Sequence, residues 1–254
     1  MTSSLRPFIF AWQFLTAVPL NRDLHDPAPN ELAGSMLWYP CVGILLGAFM
    51  VMTDMLLARW LSREVVAALL ILLIVAMTRG LHQDGLADTL DGLAGGRVPI
   101  DRLAIMRDPR IGAIGATGLF VSLILRYSAL VSLPEPLKFP ALLCAPAIGR
   151  WAMVVGAYGA SYARAEGGLA APFLAHLSAW HVLGATVLVA SLLVWSFGFA
   201  AALTVLVVGA FLSRLATMCC RPCFGGITGD TLGATNEVIE ISFLLSMPFL
   251  TYLP

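Results

Sequence analysis

Long apolar runs decide what this chain can fold into. Stretches at about 37–58, 64–81, 111–133, 139–160, 181–197 and 199–218 each fall within the roughly 17–25 residues that a helix needs to cross a bilayer. A last stretch, 238–253, is marginal in length and broken by Pro248. The runs are continuous, unlike the short alternating segments of an outer-membrane barrel. Composition agrees. The 254 residues are 59% hydrophobic and 12% charged, where soluble domains carry about a quarter charged residues, and the mean hydropathy is +0.87. The sequence therefore predicts an all-α polytopic membrane protein with six to seven transmembrane helices. It reads as one integral-membrane domain over residues 1–254, with no internal repeat, low-complexity tract or separate soluble part.

The ends and connections are polar. The N-terminal MTSSLRPFIFAWQFLTAVPL has a short apolar run and no convincing cleavage site, so it reads as an interfacial segment and not a signal peptide. Residues 21–35, with Asp23, His25 and Asp26, read as a loop. Lys+Arg and Asp+Glu balance at 15 each, which gives no reason to expect nucleic acid as a partner. Five cysteines are scattered, and Cys220–Cys223 has no second ligand pair beside it, so neither a disulfide framework nor a zinc site is expected.

Charge orients the spans. If 82–110 faces the cytoplasm, alternation puts 161–180, 219–237 and the N-terminus there too. Arg6, Arg22, Arg79, Arg97, Arg102, Arg107, Arg110, Arg164, Arg214 and Arg221 then fall on or near that side, and only Arg59, Arg63 and Lys138 fall outside. This satisfies the positive-inside rule and gathers every polar, motif-like connection on one face. Arg126 and Arg150 lie inside spans, where a central arginine costs roughly 2.5–3.5 kcal/mol. They must face a polar cavity or a partner acid, and both a structural ion pair and a substrate-phosphate contact remain open.

The connection at 82–92, HQDGLADTLDG, carries Asp84, Asp88 and Asp91. On a helix, positions i, i+4 and i+7 share one face, and the outer two Cα atoms stand roughly 10 Å apart. Three like charges on one face repel unless a cation sits among them. Such carboxylates can hold one or two Mg²⁺ ions, an ion that commonly also binds substrate phosphates. The bland alternative is a solvated helix end. His82 flanks the cluster, as a packing residue or a base. Downstream lie Asp101, Arg107, Asp108 and Arg110; guanidinium groups match phosphate oxygens, and the alternative is positive charge flanking a span. The third constellation, GGITGDTLGATNE, offers Thr228, Asp230, Asn236 and Glu237, with Glu240 beyond. Alone it is an Asp/Gly loop with a helix cap; beside the first cluster it reads as the second half of a site.

Taken together, HQDGLADTLDG, MRDPRIGAIG and GGITGDTLGATNE resemble the motifs of the cobalamin synthase family, adenosylcobinamide-GDP ribazoletransferase. FLTAVPL and WYPCVGILLGA near the N-terminus fit as well, so the resemblance runs nearly end to end. Gln83 stands where an apolar residue is expected, and FLTAVPL lacks a basic residue often found there. The resemblance implies transfer of cobinamide phosphate from adenosylcobinamide-GDP to the 3′-hydroxyl of α-ribazole or its 5′-phosphate, with release of GMP. It implies Mg²⁺ and a multi-pass location in the bacterial inner membrane. Other corrinoid-assembly enzymes and a second copy of the chain stand open as partners. Joined to the residues, it assigns Asp84, Asp88 and Asp91 to metal and catalysis. His82, Arg107, Asp108, Arg110, Thr228, Asp230 and Asn236 go to substrate, and either Asp91 or Glu237 is the proton acceptor.

Other readings fit less well. A CDP-alcohol phosphotransferase would need arginine where DGLAD has its second aspartate. A membrane prenyltransferase would need acidic motifs at Asp84–Asp91 and Asp230–Glu240. A transporter lined by Arg126 and Arg150 would show repeats and polar groups at midplane.

Overall fold

The computed structural model describes residues 5–20, 27–168 and 170–250, so Arg22, Asp23, His25 and Asp26 lie outside the described residues. The described chain is helical, with an isolated parallel bridge between Tyr162 and Ile227. Two short helices, α1 (Arg6–Leu15) and α2 (Pro29–Met36), precede the first long one. The expected loop at 21–35 is thus helix in its second half, where Pro29 starts the first turn and Glu31 bonds back to Ala28 N.

Helix α8 (Glu135–Ala157) is the post of the bundle, buried along most of its length. Helix α3 (Tyr39–Leu57) crosses it so closely that a Cβ on Gly43 would stand 2.5 Å from Ala147 Cα. Without a hydrophobic drive between helices in lipid, such close approach of small residues supplies the packing. Helices α10 (Ala179–Phe197) and α11 (Phe199–Phe224) lie outside and expose Val187, Trp195, Val207 and Phe211. In a bilayer those side chains face acyl chains, where their exposure costs nothing.

The second span departs from expectation. Helix α4 (Arg63–Thr78) stops short, and α5 (Leu81–Gly95) leaves it at an angle of 87°. The break is made by two residues in left-handed conformation, Arg79 at φ 54° and Gly80 at φ 65°. That conformation is free for glycine and costs an arginine about 1–3 kcal/mol. The N-terminal strand of chain holds it: Arg79 Nη2 donates to Thr16 O at 3.0 Å, and Ala17 N donates to Met77 O at 2.6 Å. Helix α5 therefore lies across the end of the bundle, packed under α7 (Ala113–Ser132) and α12 (Gly229–Leu250). The short α6 (Pro99–Ile105) and α9 (Ala171–Ala175) complete the same end.

Among the described residues five helices, α3, α7, α8, α10 and α11, are long and apolar enough to span, and the bent α4–α5 pair makes six. Helix α12 is 22 residues long but carries Asp230, Glu237 and Glu240, and it is not one of them. The all-α polytopic membrane fold stands; the expected count narrows at these two helices.

Candidate active site

Helix α5 presents Asp84 to solvent and half-buries Asp88 and Asp91. The three do not act alike. Asp91 turns toward α7, where its Oδ2 accepts from Gly112 N and its Oδ1 from Gly115 N, both at 2.7 Å. It caps the open N–H groups at the start of α7. Its carboxylate thereby holds two helices together, a structural task beside the metal and proton-acceptor roles expected of Asp91. Asp88 stays in a crowd of acids. It is half-buried, with Asp84, Asp230 and Asp91 as like charges near it and Arg164 as an opposite one.

Asp230 comes from the first turn of α12. Thr228 and Thr231 close that turn by exchanging bonds, Thr228 N to Thr231 Oγ1 at 2.9 Å and Thr231 N to Thr228 Oγ1 at 3.2 Å. Thr228 Oγ1 also reaches Asp230 Oδ2 at 3.3 Å. Here α12 meets α5 backbone to backbone: a Cβ on Gly85 would stand 2.7 Å from Asp230 O. The 161–163 segment pairs with Ile227 through Ile227 N to Ser161 O and Ala163 N to Ile227 O, both 2.9 Å. That bridge delivers Arg164, whose Nη2 donates to Asp230 Oδ2 at 3.1 Å while its Nε is buried without a partner.

Deeper in, Arg126, Arg150, Glu237 and Glu240 form a closed, fully buried ionic group. Arg126 bonds Glu240 at 2.8 Å and Glu237 at 2.9 Å, Arg150 bonds Glu240, and Asn236 Nδ2 donates to Glu240 at 2.9 Å. Gln83 Nε2 donates to the other oxygen of Glu237 at 3.0 Å, which accounts for a polar residue at an expected apolar position. Two cations and two anions cancel. The two arginines are thus structural partners of acids, and Glu237 is 2% exposed with both oxygens engaged inside this group. Asn236 belongs to the same buried group and not to a pocket.

Arg107 pairs with Glu166, and Arg110 grips Asp108 with Nε at 2.9 Å and Nη2 at 2.6 Å. The Arg110 side chain, then its backbone N–H, pulls the Asp108 carboxyl down to about 2. Both arginines are exposed, and these pairs line neither of the cavities beside α5.

Two cavities meet at the start of α5, and Phe14, Leu81 and Asp84 line both. One, of about 130 Å³, is walled by Tyr39, His82, Arg164, Phe173 and Asp230. The other, of about 520 Å³, is walled by Thr78, Arg79, Gln83 and Ile111. His82 is 2% exposed and its Nε2 has no partner.

Residues 7–248 match the model of the family described as cobalamin-5-phosphate synthase. The chain belongs to that family. A relative from Syntrophobacter fumaroxidans, named adenosylcobinamide-GDP ribazoletransferase, is 39% identical over 85% of this chain and 87% of its own length. Relatives of the same name from Desulforamulus reducens, 38% identical over 94% of both chains, and Pseudomonas fluorescens, 40% identical over 95% of this chain and 98% of its own, agree. No solved structure matches the chain.

In this member of the family, sequence patterning missed Arg164 as a site residue. Its only signal was a charge in a polar connection, and what places it is the bridge between segments some 65 residues apart. The acids of α5 suit a hard cation in chemistry. Among the described residues no three His, Cys, Asp or Glu side chains close into a ready-made metal cluster. Mg²⁺, however, is commonly held by one or two carboxylates with water and substrate phosphate completing its shell. The like-charge crowding at Asp88 is what such an ion relieves.

Proposed function

We propose that this chain transfers the cobinamide-phosphate group of adenosylcobinamide-GDP to the 3′-hydroxyl of α-ribazole, or of α-ribazole 5′-phosphate, and releases GMP. The observation that supports this most is the convergence of Asp84, Asp88 and Asp230 with Arg164 at one end of the bundle, in a chain related end to end to transferases of that name. In the reaction the hydroxyl oxygen forms a bond to the phosphorus nearer cobinamide. The P–O bond to the GMP phosphate breaks, and GMP leaves with that electron pair.

Each residue has a task. Asp84 and Asp88 would hold Mg²⁺. When bound, that ion neutralises charge on the diphosphate and the departing GMP. Arg164 is fixed by Asp230 and lines the smaller cavity together with Asp84, and there it offsets charge on the phosphate that meets the attacking hydroxyl. Asp230, tethered through Oδ2 by Arg164 and Thr228, takes the proton of the attacking hydroxyl. Asp91 keeps α5 against α7, and the Glu237 group keeps it against the bundle. The polar connections face the cytoplasm of a bacterial inner membrane, where nucleotide substrates are dissolved.

The test is turnover by purified protein in detergent, with adenosylcobinamide-GDP, α-ribazole and Mg²⁺, following GMP and the corrinoid product together. Equal yields of both, abolished by EDTA, are expected. Asp84→Asn and Asp88→Asn should each cost at least about a hundredfold in rate. Near-normal GMP release from both variants would sink the metal assignment.

A further inference from the structure

Two cavities on either side of Asp84 suit a reaction with two substrates, and their linings differ in kind. The smaller has three aromatic rings in mutual contact: Phe14 stands 4.8 Å from Phe173 and 6.3 Å from Tyr39, centroid to centroid, and Tyr39 stands 6.4 Å from Phe173. Its inner wall is apolar, with Met36, Met153 and Leu232. The polar groups Arg164, Asp230 and Asp84 gather toward α5 and the start of α12. His82 is the buried exception, and its Nε2 lacks a partner although the residue is 2% exposed. A buried polar atom in a native protein has a partner, and here a bound molecule can provide it. The larger cavity has no ring besides the shared Phe14, and it carries Arg79, held in its left-handed turn, and Thr78.

We propose that the aromatic cavity is the seat of the nucleoside acceptor, and that the larger cavity receives the diphosphate of the donor. The two substrates then meet at Asp84. This rests on the transferase reading above and adds which side each substrate takes. It also says which ring systems the aromatic cavity rejects. A flat, largely apolar ring system is satisfied among Phe14, Tyr39 and Phe173 with one bond to His82. A purine, with amino and ring-nitrogen groups along its edges, leaves several of them unpaired against methionine and leucine. The guanine of the donor therefore stays outside this cavity.

Binding and steady-state kinetics on the full-length protein separate the two seats. In Phe173→Leu, which keeps bulk and removes a ring, the Kd for α-ribazole alone, measured calorimetrically, should rise about tenfold. Its KM should rise in step, while the KM for adenosylcobinamide-GDP stays within twofold. Ile111→Asp, at an exposed wall of the larger cavity, should do the reverse by repelling the diphosphate. GMP should compete with the donor and not with α-ribazole, and adenine riboside should bind at least tenfold more weakly than α-ribazole. If Phe173→Leu fails to fold, Leu174→Trp narrows the same cavity and should give the same pattern. An unchanged α-ribazole Kd in these variants, GMP competing with α-ribazole, or equal affinity for the purine riboside overturns the assignment while turnover keeps the transferase reading intact. Absence of turnover in folded protein overturns that reading, and the calorimetric arm still decides whether the cavity takes an aromatic nucleoside.

Discussion

Glu237 and Arg164 are both charged, and the structure uses them in opposite ways. Glu237 is one of four buried charges whose sum is zero. Glu237→Gln leaves Arg126, Arg150 and Glu240 with one positive charge unbalanced, and breaking a buried pair costs about 3–5 kcal/mol. The expected result is a large drop in thermal midpoint in detergent, with turnover per folded molecule kept within severalfold. A stable Glu237→Gln protein with turnover lost a thousandfold would restore it as the base. Arg164 is the converse. Arg164→Gln should fold with little change in midpoint and lose roughly a hundredfold in kcat, measured as GMP release at saturating substrates. None of this pairing was legible in sequence. Arg126 could be read as needing an acid, because an arginine in a span must have one or face a cavity. Which acid it meets lies 111 residues away and leaves no local periodicity. The same holds for Gln83, whose amide makes sense only once Glu237 is seen beside it.

Helices were read more easily than their junctions. The apolar runs located α3, α7, α8, α10 and α11 to within a few residues, since burial in lipid demands an unbroken stretch of apolar side chains. The 87° break between α4 and α5 escaped notice because no proline marks it; Arg79 supplies the turn and tertiary bonds to Thr16 and Met77 sustain it. Phasing alone put three aspartates on one face of α5, and it was right about the helix. It could not show that Asp91 would reach the start of α7. This cap makes a prediction at the scale of the element. Asp91→Ala frees Gly112 N and Gly115 N and should destabilise the protein by about 1–2 kcal/mol. Amide hydrogen exchange should accelerate selectively at 112–117, where α7 begins. Asp91→Asn, which keeps a carbonyl acceptor, should recover part of the protection. Equal exchange in all three proteins would show that Asp91 is not the latch.

At the scale of the molecule, the bundle has a chemical end and an inert end. Helices α5, α6 and α9, the bridge at Tyr162–Ile227 and the first turn of α12 all gather at one pole. The opposite pole holds the Asp54–Lys138 pair, at 2.8 Å, and the exposed Trp60 between α3 and α4. The proposed orientation puts the first pole in the cytoplasm, because arginines concentrate there and the positive-inside rule favours that side for them. On the transferase reading the donor's diphosphate is charged and cannot cross the bilayer unaided, so the acid cluster would face the compartment in which the donor is made. Orientation can be read directly with a membrane-impermeant maleimide. Ala165→Cys lies on the exposed segment beside Arg164 and should add labelling over the parent protein in inside-out vesicles and none in intact spheroplasts. Trp60→Cys should add labelling in spheroplasts alone. The reversed pattern would place the acid cluster outside the cell, away from its nucleotide substrate, and would count against the transferase reading as strongly as a failed assay.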